Sequence, residues 1–304
     1  DADDFLCFGN CFDTLLSLFL TPCEFFMKYS LSIGACFLFS FFFFIPSVFA
    51  STIISAPTTI SSPTTWTLAN SPYVVRGFGT VTVNSVLTIE PGVVVKFEPR
   101  RSVGRTNGLA VTDGGQMVAI GTNESPIFFT AGTDDTVGGD TNNDGSLTSP
   151  RGGDWDSLLF ENDASVLSHV IIRHGGNQGR TFGSVEIENN SQVNISDATI
   201  SESAKSGVWI AEPAVPTLTR LTIANNDDYG IAATVATPGA TLLDSLVRNN
   251  HRGAMQVSVE NGLEVLNTTF TDNQPQTIDL TGSTITSDTR WPYIPNLVYT
   301  RWHS

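Results

Sequence analysis

"VNISDATISESAKSGVWI", residues 193–210, is followed by "PTLTRLTIANNDDYGIAA" at 216–233, "ATLLDSLVRNNHRGAMQV" at 240–257 and "LEVLNTTFTDNQPQTIDL" at 263–280. The four stretches share few identities, yet they superimpose position by position. Val193, Pro216, Ala240 and Leu263 recur at steps of 23, 24 and 23. Five more series keep the same steps: Ile195/Leu218/Leu242/Val265, Ile200/Ile223/Val247/Phe270, Ser203/Asn226/Asn250/Asn273, Val208/Ile231/Met255/Ile278 and Ile210/Ala233/Val257/Leu280. Within each unit the apolar residues fall into short alternating groups, such as Val193 and Ile195, then Ile200, then Val208 and Ile210. Alternation among β-branched residues, with no helical period, signals strands. Three short strands in about 23 residues, repeated in register, predict an all-β parallel β-helix. Each coil then bonds to the next about 4.8 Å away, and like side chains pile into one continuous core. The hand is expected to be right, as for parallel connections generally. Tandem hairpins would supply the alternation but would not require the same step each time.

The ladder extends back one unit through Leu167, Ile172, Gly175, Val185 and Ile187, where the loop "HGGNQGRTFGS", 174–184, carries extra residues. Leu158 and Phe160 begin a unit earlier still, and "TVTVNSVLTI", "GVVVKF" and "PIFFT" continue the strand pattern at irregular steps. We therefore expect the β-helix to cover 66–288, with an acidic insert at 130–154 leaving one coil. The Ser203/Asn226/Asn250/Asn273 column is expected at a sharp turn, where Asn tolerates left-handed backbone and stacked amides bond from coil to coil.

The first 50 residues differ from the rest: they hold 13 of the 20 Phe and all four cysteines, Cys7, Cys11, Cys23 and Cys36. "MKYSLSIGACFLFSFFFFIPSVFA", 27–50, has a lysine, an apolar run and a small residue before Ser51. This is the pattern of a secretory signal peptide, with an uncleaved membrane anchor as the alternative. Residues 1–26 then read as upstream sequence outside the fold, and 51–65, "STIISAPTTISSPTT", as a Ser/Thr/Pro linker. The end, "TSDTRWPYIPNLVYTRWHS", shares Thr, Trp and Pro-Tyr with "SSPTTWTLANSPYVV" at 61–75. Residues 289–304 therefore read as the start of a second module, with a terminal cap as the alternative. Setting aside the five acids and one lysine of 1–50 leaves 25 acidic against 14 basic residues. An acidic surface argues against nucleic acid and anionic membrane as partners. An exported chain without cysteine beyond residue 50 has no disulfide framework and must rely on its core or on metal. The expected location is secreted or cell-surface.

"WTLANSPYVV" (66–75), "LTIEPGVVVKFEP" (87–99), "IGTNESPIFFTAG" (120–132), "DTNNDGSLTSP" (140–150) and "GDW" (153–155) resemble secreted bacterial right-handed β-helix proteins of the pectate-lyase-like superfamily. The resemblance spans roughly 66–280. It implies export and a β-helix, with the region from Tyr73 to Phe97 forming the first coils. It implies no single activity, because that superfamily holds lyases, hydrolases, adhesins and surface repeats.

Three groups of residues carry chemistry. Asp140, Asn142 and Asp144 alternate before Gly145, and Ser146 offers a backbone carbonyl, so a Ca²⁺ ion is expected on oxygen ligands. The twelfth position of such a loop is Arg151 rather than Glu, so Asp134, Asp135, Asp154 or Asp156 must complete the shell. The second group is an edge. Lys205, Asp228 and Arg252 lie five residues beyond Ile200, Ile223 and Val247, with Asp227 and His251 one position earlier. Stacked on adjacent coils, these could abstract a proton from an acidic sugar or hydrolyse a glycosidic bond, or they could form a charge ladder. "NNDDYG", 225–230, resembles the aspartate pair of polygalacturonases, but the Gly-His-Gly and Arg-Ile-Lys elements of that family are absent. The third group is Trp209, expected to face outward with Glu186 on the coil before and Tyr229 in the turn: a platform for stacking a sugar. The leading expectation is a non-catalytic module that binds a polysaccharide or cell-surface glycan or presents a scaffold. The alternative is a polysaccharide lyase or glycoside hydrolase acting on an acidic glycan.

Overall fold

The computed structural model describes residues 51–301 apart from 100–106, 113, 162, 178–181, 212, 261, 283, 286–288, 290 and 292. The expected upstream segment and signal peptide lie outside the described residues. Among the described residues no helix is long and apolar enough to cross a membrane.

The chain is a right-handed parallel β-helix. One sheet has eight strands, running from Thr64–Trp66 through Val86–Ile89, Gln116–Ile120, Val166–Ser168, Asn194–Ser196, Thr217–Thr219 and Thr241–Leu243 to Glu264–Leu266. A second sheet of 17 strands supplies the other two walls. In one wall Ile172, Ile200, Ile223, Val247 and Phe270 are consecutive partners. In the other, Leu158, Val185, Val208, Ile231, Met255 and Ile278 are. The long strand Tyr73–Val83 feeds both walls: Tyr73–Val75 pairs with Val95–Phe97, and Val81–Val83 with Leu109–Val111. The ladder read at 193–280 is therefore the register of the sheets. Its members from Ile195 to Val247 are fully buried, as are Val75, Leu87, Phe97, Phe129 and Phe160 in the less regular first coils.

The corner after the Ile200 column is held by amides. The Asn226 side chain donates to Asn250 Oδ1 at 2.8 Å, and Asn250 donates to Asn273 Oδ1 at 2.8 Å. Oδ1 of Asn226, Asn250 and Asn273 accepts the backbone N–H of Ser203, Asn226 and Asn250 respectively. Gln276 Oε1 closes the row by accepting from Asn273 N at 2.9 Å. The left-handed backbone expected of these residues falls one position earlier, at Glu202, Asn225, Asn249 and Asp272, with φ of 55, 57, 53 and 57°. The earlier residue turns the chain, so that the buried amide can point inward to its neighbours. Room is made by a facing column of small residues. A Cβ on Gly207 would sit 2.8 Å from Asn226 Nδ2, and one on Gly230 2.9 Å from Asn250 Nδ2.

One expectation about the ends is corrected. Residues 51–65 are not a linker. Thr52–Ile60 is a nine-residue strand paired in parallel with Tyr73–Val83, and Ile54, Ala56 and Ile60 pack against the core. Threonine is β-branched and suits a strand, and one face of this strand is solvated, so a Ser/Thr-rich composition is compatible with pairing. The described residues from 289 to 301 continue the stack. Val298–Arg301 pairs in parallel with Thr277–Thr281, Ile294 is buried, and Trp291 donates to Val259 O at 3.0 Å. The likeness to the first coil is nevertheless structural, since Trp66 stacks on Tyr73 at 4.9 Å and Trp291 on Tyr299 at 5.5 Å.

Removing a middle amide leaves the groups on both sides without partners inside the core. Asn250→Ala is expected to cost about 2–4 kcal/mol, since each orphaned buried group costs ~1–3 kcal/mol. Urea unfolding checks this, with the midpoint falling more than for Asn249→Ala one position earlier.

Candidate functional site

The acidic insert leaves the strand Ile127–Ala131 and returns at Leu158–Glu161. It lies on three basic side chains of the wall beneath. Arg173 Nε bonds Asp134 Oδ2 at 2.8 Å, and its NH2 group bonds Thr136 Oγ1 at 2.6 Å. Arg76 donates to Thr141 O at 3.0 Å. Lys96 is wholly buried and donates to Gly139 O. Burial pulls the Lys96 ammonium below its ordinary pKa, against the opposing pull of Asp135, Asp134 and Asp140. Burial would raise Asp134, but hydrogen bonds from Thr130 and Thr136 and the Arg173 charge hold it below the usual carboxylate range. The return is anchored by Trp155. Its ring stacks on Phe97 at 4.4 Å, and its Nε1 donates to Arg173 O at 2.9 Å. A buried chain of bonds joins this root to the next coils. Thr130 donates to Asp134 Oδ2 at 2.6 Å, its oxygen lies 3.1 Å from His174 Nδ1, and His174 Nε2 meets the Glu202 carboxylate. Burial draws the His174 pKa down, while Glu202 and Asp134 oppose it.

Within the insert, Asp135, Asp140 and Asp144 bring carboxylate oxygens within 4.8 Å of one another. Asp140 accepts the N–H of Gly145 at 2.8 Å and of Asp144 at 3.3 Å, which closes the loop around the pair. Among the described residues, Oδ1 of Asp135, Asn142 and Asp144 are each shielded from solvent and meet no hydrogen-bond partner. Of the four acids that could complete an ion's shell, Asp135 is the one brought to the pair. Asp134 is held by Arg173. Asp154 Oδ2 accepts from Thr133 and Arg151 N, each at 3.0 Å, and Asp156 Oδ2 accepts from Asn107 N at 3.0 Å. Ser146 is exposed. Burial and the neighbouring Asp140 raise the Asp135 pKa, as expected of a carboxylate facing like charge.

The predicted edge is stacked coil on coil, since Asp228 N bonds Lys205 O and Arg252 N bonds Asp228 O. Its acids do not converge: Asp227 faces His251 and Asp228 faces Arg252. His251 Nδ1 lies 3.3 Å from Asp227 Oδ1, and Arg252 lies 3.5 Å from Asp228 Oδ1. The His251 and Asp227 side chains are 61 and 58% exposed, so this pair is solvated. Asp228 is more enclosed. Burial raises its pKa, with Arg252 and Lys205 pulling the other way.

The predicted sugar platform is rearranged. Trp209 projects outward, but Phe182 from the 174–184 loop stacks on its ring at 4.6 Å. Phe182 is itself 57% exposed. It was not singled out from sequence, although it is the one aromatic in that extended loop. Glu186 is buried beneath the loop. It accepts the N–H groups of Phe182 and Gly183 and the Ser157 hydroxyl, the last at 3.3 Å. It holds the loop down instead of facing a ligand, and burial pushes its pKa up to about 7. Tyr229 is also buried. It crosses the next coil, where a Cβ on Gly253 would come within 3.0 Å of its ring, and donates to Asp279 Oδ2 at 2.7 Å. Arg252 lies 5.6 Å from the ring centre. Tyr229 therefore ties coils together and is not available to a sugar.

A family model described as a right-handed β-helix region matches residues 156–289, where the 23- and 24-residue steps are most regular. No curated protein and no solved structure matches the chain.

The Glu186 pKa fixes a pH dependence. Its folded pKa lies above the unfolded value of 4.5, so its penalty is absent below about pH 4.5 and complete above about pH 7. Stability thus falls as pH rises through that window. Glu186→Gln keeps the acceptor oxygen and removes the charge. It is expected to flatten the slope and to exceed the parent at pH 8 by up to about 3 kcal/mol. Thermal unfolding between pH 4 and 8 measures it.

Proposed function

We propose that the chain is an exported, non-catalytic β-helix module that presents a rigid scaffold and engages a polysaccharide or cell-surface glycan, with Ca²⁺ ordering its acidic insert. The observation that carries the non-catalytic reading is the pairing at the predicted edge. Asp227 lies beside His251 in a solvated pair and the more enclosed Asp228 beside Arg252, each across successive coils. A hydrolase needs two carboxyl groups set across one bond, and a lyase a base free to take a proton. Incubating the full chain with neutral and acidic polysaccharides should yield no new reducing ends and no unsaturated products. Turnover that disappears in Asp228→Ala would overturn the reading in favour of a lyase or hydrolase.

Calcium is supported by the grouping of Asp135, Asp140 and Asp144 and by the three shielded, unpartnered Oδ1 atoms around it. Hard cations take six to eight oxygens at such density, and metal binding displaces protons from its ligands. Ca²⁺ at a hundredfold excess over Kd should raise unfolding stability by about 2.7 kcal/mol. The gain should vanish in Asp135→Asn/Asp144→Asn and shrink as pH falls, because Asp135 begins with a raised pKa. Thermal melts with and without Ca²⁺ at two pH values test both points.

A further inference from the structure

The root of the acidic insert is joined to the coils beyond it through three contacts among four side chains. Asp134 Oδ2 lies 2.6 Å from Thr130 Oγ1, Thr130 Oγ1 lies 3.1 Å from His174 Nδ1, and His174 Nε2 meets the Glu202 carboxylate. Thr130, His174 and Glu202 sit on successive coils, since Phe129 pairs with Ile172 and Ile172 with Ile200. His174 and Glu202 occupy the same corner of their coils, with φ of 65 and 55°. Thr130, Asp134 and His174 are buried, whereas the Glu202 side chain is 49% exposed.

The protons present in the neutral state do not suffice for all three contacts. Asp134 only accepts: its Oδ2 takes Arg173 Nε at 2.8 Å, and its Oδ1 takes the Thr136 hydroxyl at 2.6 Å. These bonds and the Arg173 charge hold it ionised. The Thr130 hydroxyl has a single proton, which goes to Asp134, so its oxygen is left to accept from His174 Nδ1. The ring proton is thereby fixed on Nδ1. A neutral imidazole then turns a bare Nε2 toward the Glu202 carboxylate, and two acceptors face each other. The third contact forms only with one more proton between them.

We propose that His174 and Glu202 form an acid-closed latch: uptake of one proton ties the coil of Glu202 to the root of the insert, and loss of that proton releases Glu202 to solvent. Glu202 is the member that leaves, because the other three are enclosed. The charges facing the ring are Asp134 and Asp154 on the insert, Arg173 on its own strand and Glu202 on the next coil. Burial and Arg173 lower the pKa of the ring whether or not Glu202 is in place, and Glu202 raises it. Protonation therefore favours the closed arrangement over the open one. The net direction is below the ordinary imidazole value, so the latch is open at neutral pH and closes on acidification.

Two measurements on the full chain between pH 5 and 8 test it: ring nitrogen shifts after ¹⁵N-histidine labelling, and amide exchange over residues 131–156. The ring signal that survives His169→Gln, His251→Gln and His303→Gln, made singly, belongs to His174. The expected neutral ring carries its proton on Nδ1 and gains a second on acidification. Amides of 131–156, corrected for intrinsic rates, should exchange about threefold or more slowly at pH 5 than at pH 8. In Glu202→Gln the amide donates to the bare Nε2 without an added proton, so the pH difference should vanish with exchange slow throughout. In Glu202→Ala it should vanish with exchange fast throughout. The unfolding midpoint of each variant reports its folding. A neutral ring protonated on Nε2 overturns the proton count. A ring that keeps one charge state from pH 5 to 8 overturns the latch. So does exchange whose pH difference is absent in the parent or unchanged in Glu202→Gln.

Discussion

Every coil must set its buried side chains on those of the coil before, because the backbone hydrogen bonds between coils allow no sliding. A step of 23 or 24 residues returns Ile200 to Ile223 and Ile223 to Val247. It also returns Asn226 to Asn250 and Asn250 to Asn273. A one-residue slip in any strand would turn its apolar side chains to water and drive polar ones inward. The walls, the small-residue column and the amide row are thus aspects of a single register. Variation is confined to the turns, and every candidate for function lies in a turn or in an outward position beside one.

The acidic insert shows how such a turn can grow without loosening the stack. Its charge is met from below by Arg76, Lys96 and Arg173, and its return is fixed by Trp155 on Phe97. Lys96 is the costly member, a lysine without solvent access. It is tolerated because a carbonyl accepts its proton and three aspartates surround it. In the outer part of the loop, where Asp135 meets Asp140 and Asp144, Lys96 is the nearby cation and it is shared with Asp134, so three carboxylates there face one another with partial compensation. The inner part is ordered by the protein's own charges, and the outer part has the composition that a divalent ion suits.

The register was legible in the sequence because it repeats. Ile195, Leu218, Leu242 and Val265 could be aligned without coordinates, and so could the stacked Lys205, Asp228 and Arg252. Residues 51–65 were misread because a Ser/Thr/Pro composition was given more weight than the alternation of Ile54, Ala56 and Ile60. Outward positions were the least legible. Spacing correctly sent Trp209 and Glu186 to the outside, but whether an outward residue meets solvent depends on what a non-repeating loop does. Phe182 came down on one and buried the other. Tyr229 opens a strand, and Gly253, its partner on the next coil, leaves the room that its ring takes.

The bond from Tyr229 to Asp279 joins residues 50 apart in the chain and passes over the coil between them. A stack held only by nearest neighbours can fray one coil at a time from an open end, each opening costing little. Here the coil that carries Asp279 cannot lift while its carboxylate is held, and releasing it frees a ring that braces the coil below. Fraying at this end then proceeds in blocks of coils instead of single ones, and slow amide exchange extends further toward the last strand than strand count alone would give.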